Sequence, residues 1–361
     1  MTDSITWLLI ILMLYWAYCF FWGIRALRQA HTATDYFLAG RRLSPWVFSL
    51  AITAVTLAAW TFIGYPALVF RDGFQFVNTS FYGIAVALGG VVLLKRQWML
   101  GRRYGYVTPG EMFSDYFGGN SLSIATVIIA LLFGVPFVAL LFGASGFLVS
   151  EVTNGLVSRN AAMWVLSAMV LLYAITGGMQ AIAKIAVVQF VLFAFGVIVL
   201  GIYALEAVGG FDTLNKGLAN MAVNGVGLWG NTNGSGGGNF SGYFAIPGVI
   251  QWSAGLGVEA PAGGPWTAIM CLTFMMSVMG IQASPAVTMW GFASQSPRGF
   301  AIYQVWGAAF CVGIIMLLFA TFIGVSAHLL GANAELNDAG VVTTQLLPAL
   351  SGDEGHALIP H

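Results

Sequence analysis

The feature that most constrains this chain is a series of long apolar segments that are almost free of charge. Eight can be traced, at residues 5–27, 45–70, 76–94, 121–149, 161–177, 185–206, 266–290 and 301–330. A helix needs about 20 apolar residues to cross a bilayer. Only 7% of all residues are charged, against about a quarter in soluble domains. The sequence therefore predicts an all-α polytopic membrane protein with about eight transmembrane helices.

The basic residues predict how these spans are oriented. With the N-terminus outside, ten of the thirteen lysine and arginine residues fall on the cytoplasmic side, as the positive-inside rule requires. We therefore expect a multi-pass protein of the cell (inner) membrane. The net charge is zero and no basic face is visible, so no nucleic-acid partner is expected. No nucleophile–base pair or metal spacing is visible, so the chain is not expected to be an enzyme.

Two spans contain helix breakers next to polar residues. They are "TLAAWTFIGYP" at 56–66 and "SVMGIQASPAVTMWG" at 277–291. Interrupted helices at membrane depth are tolerated where they line a cavity, and transporters build ion and solute sites from them. The alternative is ordinary close packing of helices through small residues. Because no acid or base lies in the predicted mid-membrane zone, carbonyl and hydroxyl oxygens would have to hold any ion, which suits Na⁺.

Four stretches carry a resemblance to a known family: "DYFLAGRRLSPWVFSLAIT", "AAWTFIGYPALVFRDGF", "GRRYGYVTPGEMFSDYFG" and "YAITGGMQAIAKIAVVQF". They resemble the sodium/solute symporter family, which includes proline, pantothenate, monocarboxylate and sugar symporters. The resemblance implies a leucine-transporter-type fold, in which two inverted five-helix repeats follow an extra N-terminal helix.

On that template the chain is one truncated transporter domain. Its parts are an extra helix (5–27), the first repeat (45–206), a glycine-rich external loop (207–265), the first two helices of the second repeat (266–330) and an external tail (331–361). The remaining helices are expected after residue 361, together with the hydroxyls that complete the sodium site.

The resemblance also implies site residues. The ion would meet the carbonyls of Ala54 and Leu57, with Thr56 and Ala58 beside them. The implied solute contacts are Trp60, Thr61, Thr79, Ser80, Ser277, Gly280 and Gln282. One departure concerns the sixth span, where many members have a threonine–aspartate pair and this chain has Ile185 and Ala186 after Lys184. Lys184 is interpreted as a positive-inside anchor, and alternatively as a tethered cation that modulates the ion.

The expected function is Na⁺-coupled symport of a small organic solute by alternating access. A sugar is not expected, because the polar and acidic groups of the family's sugar carriers are missing at several contact positions. A monocarboxylate or an amino-acid-like solute fits best, since "WTFIGYP" resembles the proline carriers and "GRRYGYVTP" resembles the monocarboxylate and pantothenate branch. The expected partners are the solute and the lipid bilayer, and Na⁺ is the coupling ion. The alternative is a symporter-like sensory input domain of a bacterial histidine kinase.

Overall fold

The computed structural model describes residues 2–77, 82–153, 155–224 and 268–332, and nearly all of them lie in helices. The helices are α1 (Thr2–Leu27), α2 (Ala33–Leu38), α3 (Pro45–Ala59), α4 (Tyr65–Asp72), α5 (Phe74–Val77), α6 (Tyr82–Tyr104), α7 (Pro109–Phe117), α8 (Ser121–Val152), α9 (Arg159–Ala207), α10 (Gly210–Asn224), α11 (Ala268–Met279), α12 (Pro285–Ala293), α13 (Arg298–Ile302) and α14 (Leu317–Ala332). Two π-helical segments, Trp60–Gly64 and Tyr303–Met316, join α3 to α4 and α13 to α14. The all-α prediction is confirmed.

Length and hydropathy identify four to six membrane spans in the described ranges. Four helical segments qualify alone: Leu9–Leu27, Ser121–Val152, Arg159–Ala207 and Arg298–Leu330. Two further spans qualify only as pairs, Pro45–Val55 with Trp60–Phe70 and Ile269–Ala283 with Pro285–Ala293, each bent by more than 40° at its break. The third predicted span corresponds to α6, which begins later and extends further than residues 76–94. The count of eight remains a prediction.

Helix α9 joins two of the predicted spans. It has 49 residues, which would make a straight helix about 74 Å long, far more than the ~30 Å of a bilayer core. Gly178 interrupts it with φ 55° and ψ −158°, a conformation that essentially only glycine adopts. Two helices therefore meet at Gly178, and the loop expected at 178–184 is largely helical.

The chain divides into two compact units. The first comprises the described residues of 1–58, 86–192 and 279–308, and the second those of 59–85, 193–278 and 309–361.

In the first unit, the beginning of α3 packs against α13. The fully buried ring of Phe48 lies edge-on to Phe300, with 5.1 Å between ring centroids. The Ser49 hydroxyl lies 2.8 Å from the carbonyl oxygen of Gly299 and 2.7 Å from that of Pro45. A Cβ at Gly299 would stand 3.1 Å from the Pro45 carbonyl oxygen, so a side chain there would require α3 and α13 to shift by a few tenths of an ångström.

In the second unit, α4 packs closely against α14. A Cβ at Gly324 would come within 2.7 Å of the Pro66 carbonyl oxygen. The Thr321 hydroxyl donates to the Leu317 carbonyl oxygen, so the Tyr65 hydroxyl, 3.2 Å away, donates to Thr321. This contact fixes α14 beside the helix that begins just after the first predicted break.

Candidate ion and solute site

The first break is a widened helix rather than an unwound one. Between α3 and α4, Trp60–Gly64 continues as a π-helix, a form that is frequent at functional sites. A Cβ at Gly64 would lie 2.6 Å from Cε3 of Trp60, so Gly64 makes room for the indole along the helix. Pro66 lies in the first turn of α4, and the wider turn that precedes it accommodates the proline ring and its missing N–H. The break is where the sequence predicted it, but helical pairing persists because a wider turn absorbs the misfit.

The indole of Trp60 belongs to an aromatic cluster in the second unit, formed by Trp60, Tyr65, Phe76 and Phe274. Its ring centroid lies 6.4 Å from that of Phe76 and 6.4 Å from that of Phe274. Tyr65 and Phe76 are 5.3 Å apart. These contacts fix the plane of a half-buried indole and leave part of it accessible, which suits a wall against which a solute can lie. The neighbouring Thr61 is fully buried.

The second break is a true interruption of the helix. After α11, residues Gly280–Ala283 form a 3₁₀ turn, and Ser284 is extended with φ −62° and ψ 146°. The Ser284 hydroxyl then accepts a hydrogen bond from the backbone N–H of Val287, and Pro285 occupies the start of α12. Serine as N-cap and proline in the first turn are the residues that begin a helix. The predicted break in the seventh span is confirmed.

Gln282 lies at this break with one half of its amide unsatisfied. The residue is 0% exposed, and its Nε2 donates to the Tyr303 hydroxyl at 2.8 Å. Its Oε1 is buried with no hydrogen-bond partner among the described residues. A buried acceptor without a partner costs about 1–3 kcal/mol. Such an atom is suited to accept a hydrogen bond from a solute or to coordinate a cation.

The segment around Gln282 approaches the backbone of α6. A Cβ at Gly89 would lie 2.9 Å from the Met279 carbonyl oxygen and 3.3 Å from Cγ of Gln282. At the next position, a Cβ at Gly90 would lie 2.8 Å from Nε2 of Gln304. The adjacent glycines Gly89 and Gly90 therefore allow the buried side chains of Gln282 and Gln304 to pack against α6.

The other predicted solute contacts differ in their surroundings. Ser277 is exposed, and its hydroxyl donates to the Thr273 carbonyl oxygen of its own helix at 2.9 Å. Gly280 is exposed, with open space where a Cβ would stand. Thr79 and Ser80 lie outside the described residues. The solute-contact roles remain predictions.

The four predicted ion contacts fall in consecutive turns of one helix. Ala54 is buried, and α3 is continuous through Ala59. Thr56, Leu57 and Ala58 lie in the last turns before the π-helical segment, where the structure describes their backbone. Their role in holding Na⁺ remains a prediction. Among the described residues, no group of three or more histidine, cysteine or acidic side chains is placed to hold a metal ion.

Sequence reasoning missed three polar residues in the first unit. Tyr303 and Gln304 are buried at the start of the second π-helical segment. Thr53 is also buried, and a Cβ at Gly307 would overlap its hydroxyl oxygen. The available signal was the pair "YQ" at the beginning of an apolar run, which resembles an ordinary helix start when read in sequence alone.

Comparison with protein families gives a match over most of the chain. The sodium:solute symporter family matches residues 36–352. The chain belongs to this family. Its members, and the relatives described next, are transporters, so the expectation that the chain is not an enzyme is confirmed.

The names of two relatives within the symporter family state different solutes. The sodium/proline symporter of Escherichia coli is 28% identical over 246 residues, which cover 64% of this chain and 45% of that protein. The monocarboxylate transport permease protein of Rhizobium johnstonii is 26% identical over 178 residues, covering 49% of this chain and 35% of that protein. The chain thus spans less than half of the length of these relatives.

One solved structure shows the symporter fold. It is the substrate-bound, outward-open state of a Na⁺-coupled sialic acid symporter, with a TM-score of 0.70 and 17% identity. The match covers 97% of this chain and 68% of that one. The likeness confirms the leucine-transporter-type fold expected from the sequence.

Proposed function

We propose that this chain forms the ion- and solute-binding part of a Na⁺-coupled symporter for a small organic solute, either a monocarboxylate or an amino-acid-like molecule. Membership in the sodium:solute symporter family supports coupling to Na⁺. The named solutes of the two relatives, proline and monocarboxylate, support the two solute classes. Because these relatives are transporters, transport is favoured over the sensory-domain alternative.

The observation that carries the proposal is the buried, unpartnered Oε1 of Gln282 at a helix interruption. A packing role alone gives no reason to retain an acceptor at this cost, because leucine would fill the same space without it. A solute N–H or O–H would satisfy the atom during transport. Both solute classes can offer such a donor, as an ammonium, an imino group or a hydroxyl.

The proposed mechanism uses the first break for both the ion and the solute, and the second break for the solute. Na⁺ would bind the carbonyls of Ala54 and Leu57 beside Thr56 and Ala58, at the end of α3. The solute would then lie against Trp60 and Thr61, with Thr79, Ser80, Ser277, Gly280 and Gln282 as further contacts. Closing and reopening the site toward the other side of the membrane completes alternating access. The sodium gradient and the membrane potential drive the cycle, at about 2.3 kcal/mol per charge per 100 mV.

Uptake into proteoliposomes tests the function. Radiolabelled proline and lactate are offered separately, with an inward Na⁺ gradient and with choline in its place. We expect at least tenfold faster uptake of one of them in Na⁺. Equal uptake in choline would reject sodium coupling, whereas a failure of both solutes in a protein that still binds Na⁺ would reject the two solute classes.

Variants then test the site itself. Thr56→Ala is expected to raise the Na⁺ concentration for half-maximal uptake, and Trp60→Ala to raise the KM for the solute. Trp164→Ala is the matched control, because Trp164 is an exposed indole on α9. Normal transport by both Thr56→Ala and Trp60→Ala would overturn the proposed site.

A further inference from the structure

An open cavity of about 560 Å³ lies in the first unit at the end of α1. Residues that precede α3 and residues of α9 complete its wall, and its polar lining includes Arg28, His31, Asp35, Arg42, Gln180 and Lys184. The volume lies within the ~300–1,000 Å³ of small-ligand sites. The proposed transport mechanism uses none of these residues.

The cavity has an excess of positive charge. Arg28, Arg42 and Lys184 line the cavity together with one carboxylate, that of Asp35. The Oδ2 atom of Asp35 already accepts hydrogen bonds from the N–H of Thr32 at 3.1 Å and from its hydroxyl at 2.8 Å. These bonds, with a smaller contribution from Arg42, lower the pKa of Asp35. Since Asp35 is engaged in capping α2, it offsets the three cations only in part.

Packing between α1 and α9 holds Lys184 in place. Its Nζ lies 5.7 Å from the ring centroid of Trp22, and the Tyr18 hydroxyl donates to its carbonyl oxygen at 3.2 Å. Nearby, Nε2 of Gln180 donates to Oε1 of Gln29 at 3.0 Å. The half-buried residue therefore has its backbone bonded to Tyr18 and its ammonium next to the Trp22 ring.

The same helices and turns carry exposed apolar side chains. Ile24 and Leu27 lie on α1 within about one turn of Arg28, Phe37 lies on α2, and Trp46 is the second residue of α3; each is about half exposed or more. These side chains lie on the segments that also carry lining residues of the cavity. Hydrocarbon chains can cover them while an anionic head group meets the cations, so one lipid can satisfy both.

We propose that this cavity binds the phosphate of an anionic phospholipid at the membrane face where α1 ends. Guanidinium groups offer forked donors that match phosphate oxygens, and lysine adds a point charge. Basic pockets between transmembrane helices on the cytoplasmic side bind lipid head groups in this way. The proposal gives Lys184 a role as a lipid ligand, and it is independent of the ion and the solute.

Lipid binding to the intact protein tests the site. The protein is purified in detergent and titrated with phosphatidylglycerol or phosphatidylcholine, and bound lipid is counted by native mass spectrometry. Each cation near a lipid head group contributes about fivefold in affinity. We therefore expect Arg42→Gln with Lys184→Gln to weaken phosphatidylglycerol binding about 25-fold, and Lys184→Arg to retain it. The matched control is Lys95→Gln, an exposed lysine on α6 outside the cavity.

Two results would overturn the proposal. Equal phosphatidylglycerol affinity in the double variant and in Lys95→Gln would show that binding is a general surface effect. Inorganic phosphate is tested separately in phosphatidylcholine nanodiscs. If it bound saturably and phosphatidylglycerol did not displace it, the source of the phosphate would be a soluble anion and the lipid assignment would fail. Displacement by phosphatidylglycerol but not by phosphatidylcholine would support it.

Discussion

At the scale of single residues, we expect the amide of Gln282 to lower the stability of the protein while it contributes to solute binding. Leucine has nearly the same volume and removes both the unpartnered Oε1 and the hydrogen bond to Tyr303. Removing a buried acceptor that has no partner raises the free energy of unfolding by about 1–3 kcal/mol, and losing the hydrogen bond lowers it by about 1 kcal/mol. We expect Gln282→Leu to melt at the same temperature as the parent or higher, while its KM for the solute rises tenfold or more.

Tyr303→Phe is the control for that experiment, because it removes the partner of Nε2 and leaves Oε1 in place. It should lower the melting temperature and change the KM less than Gln282→Leu does. If Gln282→Leu were destabilised and its KM were unchanged, the residue would be a packing element and its solute role would be wrong.

The pKa of Asp35 yields a second prediction at this scale. Its value lies below the ordinary 3.8 because the Thr32 hydroxyl and nearby N–H groups donate to the carboxylate. Depression of the folded pKa means that the cap stabilises α2 above pH 4 and is lost as the pH falls through the lowered value. Hydrogen exchange in residues 33–38, corrected for intrinsic rates, should accelerate below about pH 3.8. Asp35→Asn should exchange faster at neutral pH and show no such acceleration; an unchanged pH profile in that variant would exclude the cap as the cause.

At the scale of helices, the positions of the breaks could be predicted and their forms could not. Gly64, Pro66 and Pro285 marked both interruptions, because glycine and proline are unfavourable in helix interiors. The choice between a π-helical turn at Trp60 and a true break at Ser284 depends on what each side chain packs against. The indole of Trp60 lies over Gly64 and packs against Phe76 and Phe274, and only the structure shows those ring contacts.

Gly178 gives the sharpest prediction about an element. Its φ of 55° is strained for any other residue, and a Cβ there would lie 2.5 Å from the Tyr36 carbonyl oxygen. We expect Gly178→Ala to destabilise the protein by at least about 2 kcal/mol. Gly196→Ala is the matched control in the same helix, where a Cβ meets open space, and it should be neutral or stabilising by up to about 1 kcal/mol. Melting curves in one detergent compare the two, and equal effects would mean that α9 does not need its interruption.

At the scale of the whole molecule, the family and the fold class could be predicted from four sequence stretches. The solute could not, because selectivity depends on how a few polar atoms such as Oε1 of Gln282 are oriented, and sequence letters do not fix that orientation. Thr79 and Ser80, two of the predicted contacts, lie outside the described residues. The two proposed solute classes therefore have to be separated by a property of the complete transport cycle.

Net charge per cycle is such a property. A zwitterionic amino-acid-like solute moves one charge for each Na⁺ that accompanies it, whereas a monocarboxylate cancels one of these charges. With one Na⁺ per solute, a potential of −100 mV should raise zwitterion accumulation about 50-fold and leave monocarboxylate accumulation unchanged. Proteoliposomes with a valinomycin-imposed potassium potential give this comparison, and ²²Na⁺ uptake gives the stoichiometry. A voltage response that matches neither charge count would show that another ion moves in the cycle, and Na⁺ as the sole coupling ion would then be wrong.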